Sequence, residues 1–297
     1  MSERRDVPRG LPEPPPDGAS ALPTGTFDGM VVLVTGGGTG LGLAIAAEFA
    51  RLGADLVVAS RKPEHLDAAQ ASLEELGRVT TVSCDIRDPE QVAAAFDHAV
   101  ATFGLPDVLV NNAAANFPSP AEDLSPNAWR TVVDITLNGT YYCAREFGRR
   151  HLAAGSPGSI VNVGASYAWT GGPGFAHSAA AKAGVKNMVE TLAVEWGPYG
   201  IQVNGLVPGL FPHEDMTADI TANLERTHDK DASQPALRVG RRRELGWAAT
   251  WLASPYARFV SGHTLVVDGA NWQRRTLTNP PVVTVRDQMG RGPFESG

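Results

Sequence analysis

The sequence predicts an α/β protein built on one doubly wound parallel sheet. Short apolar runs rich in valine alternate with segments whose apolar residues recur at helical spacing, which is the pattern of parallel strands joined by helical crossovers. A glycine-rich turn at 35–42, TGGGTGLG, directly follows the first run and opens the first helical segment. This alternation extends over residues 27–271 and predicts a single Rossmann-like domain there.

Each element has its own local signal. Gly40 to Leu52 places apolar residues on one helical stripe, and Gly53 provides a stop. Pro63 opens a second helix, and Asp88 is a good N-cap for a third. We also expect helices in the long segments 126–150 and 177–197, and a substrate lid over 210–236, which has no strong period. The predicted strands are 30–35, 55–60, 79–84, 107–112, 159–163, 201–207 and 264–269.

Composition limits the classes of function. With 43% hydrophobic and 19% charged residues, the 297-residue chain resembles an ordinary soluble globular protein. A net charge of -7 argues against a general nucleic-acid binder. Cys84 and Cys143 are the only cysteines, so we expect no disulfide framework and a reducing, cytoplasmic location. No apolar run approaches the length of a membrane span, and no metal-ligand cluster is predicted.

Both ends of the chain are predicted to be flexible tails. Residues 1–26 contain six prolines and no aromatic residue, so we expect a disordered tail. This stretch has no apolar core of the kind found in signal peptides. Residues 272–297 again contain proline and arginine without helical periodicity. They are either a loose tail or an arm that packs on another subunit.

The glycine-rich turn predicts a dinucleotide site. Glycines let the backbone approach a pyrophosphate, and the helix N-terminus adds amide donors. After the second strand come Ser60, Arg61 and Lys62, where an NAD enzyme usually has an acid. Cations there suit a 2′-phosphate and predict NADPH, although a solvated basic loop is the alternative. The loop residues assigned to the cofactor are Thr35, Gly36, Gly38, Thr39, Gly40, Leu41 and Gly42.

Residues 158–184, GSIVNVGASYAWTGGPGFAHSAAAKAG, resemble the catalytic strand and helix of the short-chain dehydrogenase/reductase family. That family normally has a Tyr four residues before its active-site Lys, and a Ser after the strand. Here the Lys is Lys182, the Tyr position is Ser178 and the Ser position is Ala165. Tyr167 lies fifteen residues before the Lys. This rearrangement, together with 116–140, resembles the mitochondrial type of 2,4-dienoyl-CoA reductase, and the resemblance covers nearly all of 27–271.

The resemblance implies roles around the cofactor. Lys182 would contact the nicotinamide ribose, and Asp85 with Ile86 would contact the adenine. Asn111 and Asn112, which are also common turn residues, would line the ribose side with Ala113. Pro208, Gly209 and Leu210 would run beside the nicotinamide.

The resemblance also implies the reaction site. Asn138 and Tyr167 would donate to the thioester oxygen of an acyl-CoA, and Ser178 would support them near Lys182. Tyr167 as a plain core aromatic is the alternative. We assign Asn116 and Phe117 to the substrate. Arg226 and Lys230 are candidates for the CoA phosphates, unless the lid is simply solvated. By analogy with the family we expect a homotetramer.

Three functions follow from these residues. The leading hypothesis is NADPH-dependent reduction of 2,4-dienoyl-CoA to 3-enoyl-CoA in the β-oxidation of unsaturated fatty acids. The second is another enoyl-thioester or carbonyl reductase of the same family. The third is a catalytically silent dinucleotide-binding sensor or scaffold, consistent with the missing Tyr and Ser. A hydrolase with His177 and Ser178 is disfavoured, because adjacent helical side chains do not face each other.

Overall fold

The computed structural model describes residues 9–214, 216, 229–274 and 283–291. Within these residues, seven parallel strands form one sheet in the order β3-β2-β1-β4-β5-β6-β7. The winding direction therefore reverses between β1 and β4. Helices cover both faces, so the predicted doubly wound α/β fold is confirmed.

The predicted strands agree with the observed ones to within two residues at each end. The segment predicted as a helix over 126–150 is divided by a π-helical turn at Asp134–Asn138. The strands are β1 (Val31–Thr35), β2 (Asp55–Ser60), β3 (Val79–Ser83), β4 (Val108–Asn111), β5 (Gly158–Val163), β6 (Ile201–Pro208) and β7 (Thr264–Val267). The α-helices are α1 (Gly40–Arg51), α2 (Pro63–Glu74), α3 (Pro89–Thr102), α4 (Pro126–Val133), α5 (Gly139–Ala154), α6 (Tyr167–Thr170), α7 (Ala176–Trp196), α8 (Arg242–Ala253) and α9 (Val285–Gln288). Turns of 3-10 helix occupy Ala121–Asp123, Gly197–Tyr199 and Pro255–Ala257.

The sheet separates two apolar layers. Side chains alternate along β1, so Val32 and Val34 pack with α1, α2 and α8, while Val31 and Leu33 pack with α3, α5 and α7. The five inner strands β2, β1, β4, β5 and β6 are buried on both faces, which explains their apolar runs rich in valine, whereas the edge strands β3 and β7 are only partly buried. The sheet is thus a rigid platform whose carboxyl edge holds the loops described below.

The strand register aligns that carboxyl edge. Thr35 pairs with Ala59 on one side and with Asn111 on the other. Asn111 in turn pairs with Asn162 of β5. The loops after β1, β4 and β5 therefore start from one line at the point where the winding reverses, which is where ligands bind in open α/β sheets.

The described part of the N-terminal segment, 9–26, makes specific contacts that its composition did not predict. Composition predicts disorder because these residues have little apolar area to bury. However, proline-rich backbone leaves carbonyl oxygens without partners, and the α8 region supplies donors to them. The acceptors are the carbonyls of Pro12, Pro15 and Ala19 and the carboxylates of Glu13 and Asp17; the donors are Arg238, Arg241, Arg243 and Trp247.

At the other end, residues 283–291 form an arm that lies against this chain's own surface. Nη1 of Arg286 lies 2.9 Å from Oδ1 of Asp123 and 3.2 Å from Oε1 of Glu122. Nη1 of Arg291 lies 3.3 Å from Oδ2 of Asp123. The described arm therefore has partners within its own subunit, on the loop that follows β4. Residues 215 and 217–228 of the predicted lid at 210–236 lie outside the described residues.

Candidate active site

The glycine-rich loop is tied to the switch point by Thr35. Its hydroxyl accepts hydrogen bonds from the backbone N–H groups of Asn112 and Ala113, at 3.1 and 3.2 Å. The Asn112 amide donates to the carbonyls of Thr35 and Gly36. Asn112 therefore holds the loop in shape, as turn chemistry predicts.

The glycine-rich loop forms a cradle, and two of its glycines have no room for a side chain. Gly36 has φ +62°, and a Cβ there would lie 2.9 Å from the Cα of Ala113. A Cβ on Gly42 would overlap the carbonyl of Gly36 and the amide of Asn112. Beyond the loop, Thr39 is the N-cap of α1, and its side chain makes no capping bond to the described helix. The first amides of α1 thus remain available, and the cradle fits the pyrophosphate of a dinucleotide.

Charged groups gather after β2 and β3, where the adenosine half of a dinucleotide would lie. Asp85 accepts a bidentate hydrogen bond from Arg87, and Nη1 of Arg61 lies 4.0 Å from the same carboxylate. The Arg87 guanidinium holds the pKa of Asp85 below its usual range. Arg61 is half exposed, Lys62 is exposed, and Ser60 ends β2. Sequence reasoning missed Arg87, although its position two residues after Asp85 is a signal.

Asn111 and Lys182 lie deeper in the site. The Asn111 amide donates to Oδ1 of Asn162 at 3.0 Å, and its own Oδ1 is buried without a partner among the described residues. Nζ of Lys182 donates to the carbonyl of Val163 at 2.5 Å. Burial lowers the pKa of Lys182 to about 8. Buried acceptors and a cation beside the carboxyl end of β5 are suited to ribose hydroxyls.

The loop predicted to run beside the nicotinamide leaves the sheet at Pro208, the last residue of β6. The N–H of Gly209 donates to the carbonyl of Val267, and a Cβ on Gly209 would lie 2.6 Å from the Cα of Asp268. The carbonyl of Leu210 accepts from the N–H of Gly240. The loop is therefore fixed against the end of β7.

Tyr167 is the centre of the candidate reaction site. Its hydroxyl lies 2.9 Å from Oγ of Ser178, and Nδ2 of Asn116 donates to it at 3.4 Å. Its ring is parallel to that of Phe175, with centroids 6.1 Å apart. Burial raises the pKa of Tyr167, against a smaller opposite effect of the Ser178 hydrogen bond. Tyr167 therefore stays a neutral phenol, which can donate a hydrogen bond but is a poor base.

The expectation that Asn138 and Tyr167 both donate to the thioester oxygen stays a prediction. Asn138 belongs to the π-helical turn, and its Nδ2 donates to Oδ1 of Asp134 at 2.8 Å. In the described part of the chain it is Asn116, and not Asn138, that hydrogen-bonds to Tyr167. The π-helical turn also brings the hydroxyl of Thr136 to the backbone of Ala115, next to Asn116. Asn116 was predicted only to contact substrate.

Ala165 leaves no hydroxyl after β5 to support Tyr167, and Ser178 supplies that bond instead. Ser178 lies on α7 one turn before Lys182, and both are buried. Phe117 contacts the ring of His177 edge-on, with centroids 4.6 Å apart. The structure thus brings Tyr167, Ser178, Asn116 and Phe117 into one site.

The proposed CoA contacts are left open. Arg226 lies outside the described residues. Lys230 is half-buried, and its carbonyl accepts from the hydroxyl of Ser233. A cavity of about 350 Å³ lies between the loop after β6 and the end of β7, and Leu210, Phe211, Arg238 and Trp272 line it. It is separate from the hydrogen bonds of Tyr167.

Within the described ranges, no group of three His, Cys, Asp or Glu side chains could hold a metal ion. Nor is any described helix both long and apolar enough to cross a membrane.

Comparison with known proteins identifies the family. A family model described as enoyl-(acyl carrier protein) reductase matches residues 36–270. The chain belongs to the short-chain dehydrogenase/reductase family. A short-chain dehydrogenase of Bacillus anthracis, solved at 1.99 Å, is 40% identical with a TM-score of 0.75, over 82% of this chain and 96% of that one. This oxidoreductase therefore has the family's fold and its nicotinamide dinucleotide site.

Relatives within the family narrow the chemistry. The rat protein named peroxisomal 2,4-dienoyl-CoA reductase, (3E)-enoyl-CoA-producing, is 41% identical, over 84% of this chain and 85% of the rat protein. A Bacillus subtilis protein named probable 2,4-dienoyl-CoA reductase, (2E)-enoyl-CoA-producing, is 37% identical, over 81% and 96%. Their similarity to this chain supports its assignment as an oxidoreductase. The two relatives' names differ in the position of the double bond in the product.

Proposed function

We propose that this short-chain dehydrogenase/reductase reduces 2,4-dienoyl-CoA to 3-enoyl-CoA with NADPH, in the β-oxidation of unsaturated fatty acids. One observation carries the proposal: the Tyr167 hydroxyl lies between Ser178 and Asn116, away from the usual family position, and is held neutral by burial. Such a group can donate a hydrogen bond to an oxyanion.

NADPH supplies a hydride to the δ-carbon of the conjugated dienoyl thioester. Negative charge then develops on the thioester oxygen as an extended enolate. Tyr167 donates its single proton to that oxygen, so its own oxygen accepts from Ser178 and Asn116. Asn116 has a second N–H for the substrate, because a primary amide has two donors. Two neutral donors of this kind form an oxyanion hole.

A proton that comes from the solvent then adds to a carbon of the enolate and completes the reaction. Protonation at the α-carbon leaves a double bond between C3 and C4, whereas protonation at the γ-carbon leaves it between C2 and C3. The name of the rat relative gives a (3E)-enoyl-CoA product, and that of the Bacillus subtilis relative gives a (2E)-enoyl-CoA product. We propose the 3-enoyl product. Turnover in D₂O should place deuterium at C2, as read by NMR, and deuterium at C4 would instead establish a 2-enoyl product.

The reaction class is tested by substrate preference. The absence of a Tyr four residues before Lys182 disfavours the family's usual delivery of a proton to an alkoxide. Therefore kcat/KM with NADPH should be far higher for a 2,4-dienoyl-CoA than for a 3-ketoacyl-CoA. A ratio that favours the ketone would return the chain to the ordinary carbonyl reductases, and no turnover of either would support a silent sensor.

The preference for NADPH rests on the cations after β2. Arg61 is half exposed and 4.0 Å from Asp85, so it can turn to a 2′-phosphate, with Ser60 and Lys62 beside it. Arg61→Ala should weaken NADPH binding and leave NADH binding nearly unchanged. Equal losses for both cofactors in a fluorescence titration would show that Arg61 does not bind the 2′-phosphate.

A further inference from the structure

His177 is a fully buried side chain that the reaction above does not use. Its exposed fraction is 0%, and Nδ1 accepts a hydrogen bond from the backbone N–H of Ser178 at 2.8 Å. Ser178 is the third residue of α7, whose early N–H groups have no partner within the helix. The N-cap residue is Phe175, whose side chain has no acceptor. His177 therefore does for Ser178 what an N-cap side chain usually does.

The His177 ring also contacts the loop that carries Asn116, the second group that hydrogen-bonds to Tyr167. The ring of His177 meets Phe117 edge-on at 89°, with centroids 4.6 Å apart. Phe117 directly follows Asn116, whose amide donates to the Tyr167 hydroxyl. The N–H of Ser119, two residues later, donates to the carbonyl of Gly174, just before α7. The loop after β4 is thus seated on the start of α7, with His177 between them.

We propose that His177 is a positioning residue, because its ring holds the backbone of Ser178 and the side chain of Phe117. In this way it positions Ser178 and the neighbouring Asn116, the two groups that direct the Tyr167 hydroxyl toward the thioester. This inference rests on the proposed function. It requires Ser178 to donate its proton to the Tyr167 oxygen, since Asn116 is already a donor there and Tyr167 has a single proton to give to substrate. The hydrogen bond from the Ser178 N–H to His177 holds the Ser178 backbone, and this sets the position of the Ser178 hydroxyl relative to Tyr167.

The state of the ring agrees with that role. An Nδ1 that accepts from Ser178 has no proton, so the proton of a neutral ring is on Nε2. Nε2 is buried and has no hydrogen-bond partner among the described residues. Burial also lowers the pKa of His177, against a smaller opposite effect of a hydrogen bond to the backbone of Phe175. His177 therefore works as a neutral acceptor and not as an acid or base.

Two variants separate the contacts of the ring. His177→Asn keeps an acceptor close to the position of Nδ1, whereas His177→Phe keeps an aromatic edge for Phe117 and removes the acceptor. With dienoyl-CoA and NADPH, we expect His177→Phe to lower kcat by about tenfold to a hundredfold, since small misplacements at a reacting centre have effects of this size. NADPH affinity should be unchanged, and His177→Asn should keep most of the activity.

Ser178→Ala shows whether His177 acts through Ser178. If it does, adding His177→Phe to Ser178→Ala should cause little further loss of kcat, because coupled residues are not additive. Full activity of His177→Phe would overturn the proposal. So would an equal fold-loss from His177→Phe with and without Ser178→Ala, because that result is typical of a merely structural residue.

A substrate-free measurement keeps this inference separate from the proposed reaction. Ring ¹⁵N shifts of the full chain, with the His177 signals assigned by their loss in His177→Asn, should show a bare Nδ1 and a protonated Nε2. A protonated Nδ1 would overturn the inference even if dienoyl-CoA is reduced. If dienoyl-CoA is not reduced, the proposed function fails, while a bare Nδ1 would still support the His177–Ser178 bond.

Discussion

Tyr167 shows how one residue's surroundings select a reaction. In this chain its hydroxyl has two polar neighbours and a buried setting that raises its pKa. A buried cation, Lys182, lies one turn of α7 beyond its partner Ser178. Because the phenol is neutral and oriented, it suits charge that forms on an oxygen it does not have to protonate.

Asn116 and Asn138 provide a matched pair of amides for testing the oxyanion hole. Asn116→Ala removes a donor at the Tyr167 hydroxyl and should lower kcat by about two to three decades, similarly to Tyr167→Phe. Asn138→Ala removes a bond to Asp134 and should leave kcat close to that of the unaltered enzyme. Steady-state kinetics with dienoyl-CoA decides, and a larger loss for Asn138→Ala would restore Asn138 as the donor.

Lys182 predicts a basic limit on activity. Because burial lowers its pKa to about 8, the side chain is charged below that pH and loses its charge above it. If the cation is needed at the nicotinamide ribose, kcat/KM should fall as the pH rises through about 8. Lys182→Arg should move that fall to higher pH, because arginine keeps its charge. Superimposable pH profiles of the two enzymes would contradict this role.

At the scale of elements, buried strands and glycine turns were predictable because their signals are local. Each strand is a valine-rich run flanked by turn residues, and Gly36 and Gly42 are required by contacts within one loop. The hydrogen bond from Asn138 to Asp134 was not predictable in the same way. The π-helical turn redirects its side chain toward Asp134, and this depends on packing of the whole 126–154 segment. Asn116 lies in a loop, where sequence does not fix side-chain direction.

The N-terminal segment shows a second limit of sequence reasoning, because its composition gives no sign of the contacts that it makes. Carbonyls and carboxylates of residues 12–19 accept from three arginines and Trp247. Those donors come from residues more than two hundred positions away. No local pattern reports such a pairing, and arginine side chains on a helix are more often solvated.

Trp247 tests whether this docking stabilises the fold. Its Nε1 donates to the carbonyl of Ala19 at 2.8 Å. Trp247→Phe leaves that carbonyl without its donor, so the free energy of unfolding should fall by about 1 kcal/mol. Trp251→Phe, one turn later on α8 and partly exposed, is the matched control. Equal urea midpoints for both variants would mean that the segment adds nothing to stability.

For the whole molecule, the distribution of charge is more informative than its sum. The net charge is -7, yet Arg61, Lys62 and Arg87 lie together at the edge expected to bind the adenosine half of a polyanionic cofactor. Local cations on a negative protein attract such ligands, and salt weakens that attraction. The cytoplasmic location stays a prediction. The homotetramer also stays a prediction, and the strongly exposed apolar side chains of Val194 and Phe259 are candidates for a contact between subunits.

The family match spans 36–270, whereas the contacts of the N-terminal segment and of the 283–291 arm lie outside it. An expression boundary drawn at the limits of the sheet domain, 27–271, would strip the carbonyl partners from Arg243 and Trp247, and it would leave Glu122 and Asp123 without Arg286. Asp123 lies seven residues after Asn116, in the same loop. Kinetic constants measured on such a trimmed protein would describe an enzyme whose active-site loop has lost its outer fastening.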